Sequence, residues 1–414
     1  MRISAFTPFK YKSFRFQWLA DLATSWAFDM EGLILGWYIL VETHSVLMLT
    51  IFASLQYVGT LLAPMFGVMG DRLGHRLILS VMRSLYAVLA TTLMISAFMA
   101  WTTPYLVLIV AGLMGLVRPS DIGMRSALVG EIMPHEQLMG AMSIQRTTQD
   151  SARVAGALTG AGLVASLGMA WAYSCVVLFY LSSVILTILA GRNAIKIADR
   201  VNASSGESAW FDLRRGAIYT WQAPHLRATM LFAFLLNLTA FPLFTGLMPY
   251  VAKEVYGANQ TILGYMVGAG ASGALLGSII MSRFGDSFRS ARAMLGFGAA
   301  WLFMILIFAH THGPDTGIPI LFVAGCMQTM GLIPINALLL RTSDQSYRGR
   351  IMGIRMLAIY GNLPGLILAG PLIVSLGYSR MAACYCLFGI MMTILIAWYW
   401  RHSLWFPNAI ANRR

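Results

Sequence analysis

The sequence predicts an all-α membrane protein, and three observations carry that prediction. Charged residues make up only 11% of the chain and AVILMFWYC residues 58%, against roughly 25% charged in a soluble domain. A chain of 414 residues with that balance has too little polar surface to wrap a water-facing globule. Second, the apolar residues come in blocks of about twenty, the length at which a helix crosses a ~30 Å hydrocarbon core. The ten-residue alternation of a barrel strand is missing, and helices and closed barrels are the only structures that satisfy their own backbone in lipid. Third, the basic residues stand in short clusters between the blocks, as loop charges do when they set membrane orientation.

Twelve blocks follow in order, at about 16–40, 45–69, 77–100, 104–126, 143–165, 170–190, 226–250, 260–282, 291–310, 317–340, 351–375 and 380–401. Basic residues fall on alternate connections. One side receives Arg2, Lys10, Lys12 and Arg15, then Arg72 and Arg76, then Arg192, Lys196, Arg200, Arg214 and Arg215. Arg283, Arg289 and Arg292 join them, with Arg341, Arg348 and Arg350 and the tail residues Arg401, Arg413 and Arg414. The opposite loops hold Lys253 and Arg380. This asymmetry predicts that both termini are cytoplasmic.

The longest connection lies between blocks six and seven. It contains the polar run Asn202 to Ser208, after which Trp210, Leu213, Ala217 and Trp221 recur at helical spacing, as in a surface-lying amphipathic helix. The predicted organisation is therefore a bundle over 1–190, a cytoplasmic linker over 191–225, and a bundle with a short tail over 226–414. Gly67-Val-Met-Gly-Asp-Arg72 closes block two and is echoed by Gly277 to Asp286 at the close of block eight. The expectation is twelve transmembrane helices in two pseudo-symmetric six-helix bundles, the plan of alternating-access secondary transporters.

The net charge of +13 is distributed among loops rather than gathered on one stripe, so nucleic acid is rejected as a partner. Cys175, Cys326, Cys384 and Cys386 all lie within apolar blocks and read as small hydrophobes. Residues 1–15 are basic but lack the apolar core and cleavage site of a secretory leader.

Gly67-Val-Met-Gly-Asp-Arg-Leu-Gly-His-Arg76 resembles the signature loop of the major facilitator superfamily, with His75 at the first of two basic positions. Pro119, Arg125, Ala127, Leu128, Glu131, Pro134, Glu136, Gln137, Leu138 and Ala141 resemble the span 4–5 connection of its enterobactin-exporter-like, transmembrane secretion effector branch. So do Arg348 to Gly353 and Ser25 to Asp29. The resemblance implies the major facilitator fold, a multi-pass protein of the bacterial cytoplasmic membrane, monomeric, without a cofactor or metal. It also implies proton-driven export of siderophore-like or drug-like products. In the loop it implies a conformational latch of Gly67, Gly70, Asp71, Arg72, Gly74, Arg76 and Arg125, with Asp71 capping span 11 and pairing with Arg125. Span 5 departs from the family's Gly-Pro-x-x-Gly-Gly: Gly156-Ala-Leu-Thr-Gly160-Ala161-Gly162 lacks the proline and keeps a glycine-rich face for close packing.

Ionisable groups at membrane depth cost at least ~2.5–3.5 kcal/mol each and so ask for a reason. In span 1, Asp21, Ser25 and Asp29 share a face at four-residue spacing, while Glu31 lies about 200° around from Asp29. Asp29, at the family's aspartate position, is the first candidate for proton coupling and Glu31 the second. Arg118, Asp121 and Arg125 form a ladder of alternating sign in span 4, and Arg146, Asp150 and Arg153 another in span 5. Either each ladder is an internal ion network or it offers Arg118 or Arg153, with Asp121 and Asp150, to a substrate. In the second half Asn237, Gln328 and Asn336 are candidate substrate contacts, Arg355 and Asn362 lie at similar depth, and Pro242, Pro249, Pro334 and Pro364 mark breaks. Trp26, Trp37, Phe241 and Phe244 suit a cavity for bulky, partly apolar molecules.

The resemblance, with these residues, implies a proton-coupled exporter of a small amphipathic organic molecule. The alternative is an importer, or a lipid or lysophospholipid translocator. An enzyme is not expected: His310-Thr-His312 with Asp315 is the one suggestive group, and it reads as a solvated loop. No phosphate-binding loop for ATP is found. The topology is checked by cysteine labelling in intact cells: Thr43→Cys should react with a membrane-impermeant reagent from outside and Ser208→Cys only after permeabilisation. Equal reactivity of the two would overturn the orientation.

Overall fold

Helices form where the apolar blocks are longest, because only internal hydrogen bonding satisfies a backbone in lipid. The computed structural model describes residues 7–134, 137–192, 215, 218–284, 289–342, 351, 354–355 and 357–405. Among the described residues the regular elements are all helical, with no strand. By length and composition nine of these helical segments suit a membrane crossing: His75–Phe98, Pro104–Ile132, Met169–Ala190, Pro224–Gly246, Gln260–Phe284, Ser290–Phe308, Pro314–Leu339, Ala358–Leu376 and Tyr378–Tyr399.

The other three expected blocks are helical too, and each has a reason to stand apart. The first is α1, Lys12–Thr43, 32 residues and hence about 48 Å long, with Asp21, Asp29 and Glu31 along it. The fifth is α6, Leu138–Leu167, carrying Arg146, Asp150 and Arg153. The second block is broken into α2, Val46–Leu55, a 3₁₀ turn over Val58–Leu62, and α3, Ala63–Leu73.

The remaining elements are α4 (His75–Phe98), α5 (Pro104–Ile132), α7 (Met169–Arg192), α8 (Pro224–Phe241), α9 (Gln260–Phe284), α10 (Ser290–Phe308), α11 (Pro314–Thr342), α12 (Asn362–Leu376) and α13 (Tyr378–Tyr399). Their ends follow local chemistry. Pro104 opens α5, where its missing N–H costs nothing, and Thr103 Oγ1 accepts from the Leu106 amide at 3.3 Å. Gly168 separates α6 from α7 at φ +82° and Gly377 separates α12 from α13 at φ +81°. These are matching joints that a residue with a Cβ adopts only under strain. Beyond α8, Pro242 and Pro249 each withhold an amide, and the chain continues through π turns at Pro242–Gly246 and Val251–Val255.

The chain divides into two compact units, Met1–His44 with Leu55–Glu207, and Ser45–Ser54 with Ser208–Arg414. In the first unit α1 packs against α5, α6 and α7, and α4 packs against α5 and α7. Gly156 and Gly160 of α6 lie against Trp26, Asp29 and Met30 of α1, so the small-residue face read in span 5 is a helix contact. In the second unit α11 is the hub, packed against α9 and α10. A Cβ on Gly273 would strike the Phe322 carbonyl, and one on Gly325 the Gly270 carbonyl, so α9 and α11 touch backbone to backbone. The segment Ser45–Ser54, the first part of the second apolar block, belongs to this unit: Gly370 faces Thr50 and Leu47, and Gly246 faces Ala53.

Gly273→Val tests the α9–α11 contact. Overpacking of this kind costs about 1–3 kcal/mol, so the purified variant should melt several degrees below wild type. Gly296→Val, at a position with open space around it, should melt with the wild type.

Candidate functional site

The polar residues of α1 recur on one face, and the first unit folds its other buried charges onto them. Asp21, 2% exposed, accepts hydrogen bonds from Gln17 Nε2 (2.7 Å) one turn earlier, from Gln145 Nε2 of α6 (2.9 Å) and from Arg83 of α4. Arg83 is fully buried and also donates to Thr187 Oγ1 of α7. Arg125 of α5 donates to Asp121 one turn before it and to Ser25 Oγ (2.8 Å), and its Nε stands 3.9 Å from Asp21 Oδ1. Arg83 Nε lies 4.0 Å from Asp121 Oδ2, closing the circuit. Two aspartates and two arginines thus neutralise one another in a buried site. Around them Thr24 Oγ1 meets Ser183 Oγ at 2.5 Å, and the Trp18 indole donates to Thr148 Oγ1 at 2.7 Å.

Glu31 and Asp29 stand in different surroundings, as their separation around the helix predicts. Glu31, 3% exposed, accepts from Tyr180 (2.8 Å) and Tyr173 (3.3 Å) of α7. Asp29 is partly exposed and accepts no hydrogen bond among the described residues; the charges around it are Arg153, Arg118, Asp150 and Arg125. Arg118 donates to Gln56 Oε1 (2.9 Å), and its guanidinium lies over the Phe28 ring at 4.2 Å. Asp150 is buried and pairs at 3.3 Å with Arg146, which is 61% exposed. The Trp26 indole donates to Thr159 Oγ1 (2.9 Å), fixing α1 against α6 beside Asp29.

The other expected site residues are placed as follows. Asp121 and Arg125 belong to the buried quartet. Asn362 Nδ2 donates to Asn237 Oδ1 at 3.0 Å, and Asn237 donates to the Ala233 carbonyl, so this pair joins α12 to α8. Gln328 is buried in α11, and Asn336 Oδ1 is buried there without a hydrogen bond among the described residues. Gly67, Gly70 and Arg72 lie on α3, and Gly74 turns the chain at φ +91°. Gly70 leaves room for the His75 ring, which meets Glu131 Oε1 at 2.6 Å, and Arg76 donates to the Ile188 carbonyl at 2.7 Å. The Asp71 side chain and residues 343–350 lie outside what the structure describes, and with them the expected Asp71 contacts to Arg125 and to the start of span 11. The sequence reading missed Arg83, Tyr173 and Tyr180. Arg83 had a signal, as a lone arginine inside an apolar block; the tyrosines had none, since aromatic residues are common in spans.

A family model described as transmembrane secretion effector matches residues 3–411. Among curated proteins no sequence matches. Several solved structures share the fold. The POT family transporter PepTSo aligns with TM-score 0.74 at 13% identity, over 94% of this chain and 98% of its own. The nucleoside transporter NupG, as a mutant, aligns with TM-score 0.69 at 13% identity, over 92% and 98%. A bacterial homolog of the human lysosomal transporter Spinster, inward-facing and unoccupied, gives 0.65 at 12% identity, over 95% and 96%. The chain belongs to the transmembrane secretion effector family of major facilitator transporters. The family and these structural relatives are membrane transporters, not enzymes.

The quartet makes a quantitative prediction. Removing one partner of a buried pair costs about 3–5 kcal/mol, whereas replacing both with apolar groups is often neutral. Asp21→Leu should therefore lower the melting temperature sharply, and adding Arg83→Met should recover most of the loss. A double variant no more stable than the single would show that Asp21 and Arg83 are not coupled.

Proposed function

We propose that this member of the transmembrane secretion effector family is a secondary active transporter. In this reading it has twelve spans in two six-helix halves, with both termini in the cytoplasm of a bacterium. It exports a small amphipathic organic molecule, siderophore-like or drug-like, in exchange for protons, as the two halves alternate access to a central site.

One observation carries the proton-coupled part of this reading. Glu42 is exposed in the last turn of α1. Of the other three carboxylates of that helix, Asp21 is held by Arg83 and two glutamines and Glu31 by two tyrosines, while Asp29 accepts no hydrogen bond among the described residues and has Arg118, Arg125, Arg153 and Asp150 around it. A coupling carboxylate must alternate between neutral and charged. Burial disfavours the charged form and a nearby guanidinium favours it, so moving a guanidinium toward or away from the carboxylate loads or releases a proton. A group already saturated by fixed donors has no such freedom. Arg118 over Phe28 presents a cation beside aromatic surface, which suits an organic substrate with an acidic group.

Asp29→Asn tests the reading in inside-out vesicles under an imposed pH gradient, against a panel of amphipathic acids and cations. The variant should lose gradient-driven accumulation and keep equilibrium exchange of the substrate. Full pH-dependent accumulation by Asp29→Asn would rule out coupling through this residue. Accumulation only under the opposite gradient would make the protein an importer.

A further inference from the structure

Tryptophan and arginine gather at one end of the second unit. Helix α8 begins at Pro224, and Arg227 lies in its first turn. The Arg227 guanidinium stands 5.7 Å from the Trp221 ring centre and 5.6 Å from that of Trp400, so two indoles frame one cation. The short helix Arg401–Trp405 packs against the same end of α8 and brings Arg401, whose Nε donates to His402 Nε2 at 3.3 Å. Helix α11 ends here as well, with the Thr342 backbone facing the His225 ring.

No carboxylate answers these charges among the described residues. The acids of the second unit in that set are Glu254 and Asp315. Glu254 follows Arg227 by 27 residues of nearly continuous helix, about 40 Å of rise. Asp315 is in the first turn of α11, at the end opposite to Thr342. Arg227 Nε and the Trp400 indole N–H are buried yet have no hydrogen-bond acceptor among the described residues. Two buried donors without an acceptor are costly, and each calls for an oxygen from outside the described residues.

The position decides which oxygen. Trp221 is 64% exposed on the last turn before a membrane-length apolar segment, the depth at which tryptophans sit among lipid headgroups. Arginine forks a phosphate with two parallel N–H donors, and basic residues at a helix end attract anionic headgroups. We propose that Arg227, framed by Trp221 and Trp400, binds the phosphate of an anionic phospholipid, with the Trp400 indole as second donor and Arg401 contributing charge.

Native mass spectrometry of the purified full-length protein tests this, with phosphatidylglycerol and phosphatidylcholine offered together. Wild type should retain phosphatidylglycerol preferentially, and Arg227→Gln should lose about tenfold in that affinity while its phosphatidylcholine adducts are unchanged. Arg227→Lys, which keeps the charge without the fork, should bind phosphatidylglycerol several-fold more weakly than wild type, and it serves if the glutamine variant fails to fold. Equal phosphatidylglycerol retention by wild type and the variants would overturn the proposal. So would millimolar inorganic phosphate displacing the lipid completely and stabilising the wild type to the same degree, since the site would then take a free anion.

Discussion

A charge carried into a medium of low dielectric constant must find its counter-charge within the protein, and the first unit depends on how it meets that demand. Asp21, Arg83, Asp121 and Arg125 form a closed set of two negative and two positive groups, each at most 2% exposed. Because Asp21 sits on α1, Arg83 on α4, and Asp121 and Arg125 on α5, neutralisation requires three helices to meet. Gln145 and Thr187 bring in α6 and α7. Once five helices share one polar knot, the remaining contacts can be apolar and small, as at Gly156 and Gly160. Lipid supplies no hydrophobic pressure between helices, so such a knot provides specificity that apolar packing lacks there.

The same argument separates charges held by close partners from one that is not. Asp21 and Arg125 have close partners within the knot, Arg83 Nε stands 4.0 Å from Asp121 Oδ2 without a hydrogen bond among the described residues, and Glu31 is satisfied by two phenols. Asp29 belongs to neither set, although it is eight residues from Asp21 on the same helix face. The second unit has no comparable knot among its described residues; Asn237 and Asn362 form its central polar pair, uncharged and self-satisfied. Among the described residues the buried charge network therefore lies in the first unit.

Much of this was legible in the sequence. Apolar block length gave the helices, because lipid leaves the backbone few alternatives. Helical spacing correctly placed Asp21 and Ser25 on one face, and Asp29 and Glu31 in different environments. What the spacing could not show is pairing across helices. The alternating ladder Arg118, Asp121, Arg125 looks like one unit on paper, yet Arg118 turns to Gln56 and Phe28 while its neighbours turn to Asp21 and Arg83. Arg83 went unread because its partners lie 62 and 38 positions away in the chain. The break in the second block was signalled only by Gln56, Gly59 and Thr60 before Pro64 at the start of α3, in a stretch otherwise mostly apolar.

The segment Ser45–Ser54 has a consequence for how such a protein can be inherited and assembled. By sequence order it comes with the first half, and by packing it completes the second, covering Gly370 and Gly246. The two halves are therefore not interchangeable cassettes. A gene cut at the long polar connection would encode a C-terminal fragment with a bare seam where Thr50 and Leu47 should lie, and the missing piece would be on the other polypeptide. During synthesis those ten residues emerge long before the surface they cover, so the second unit is completed by chain made well before its own helices.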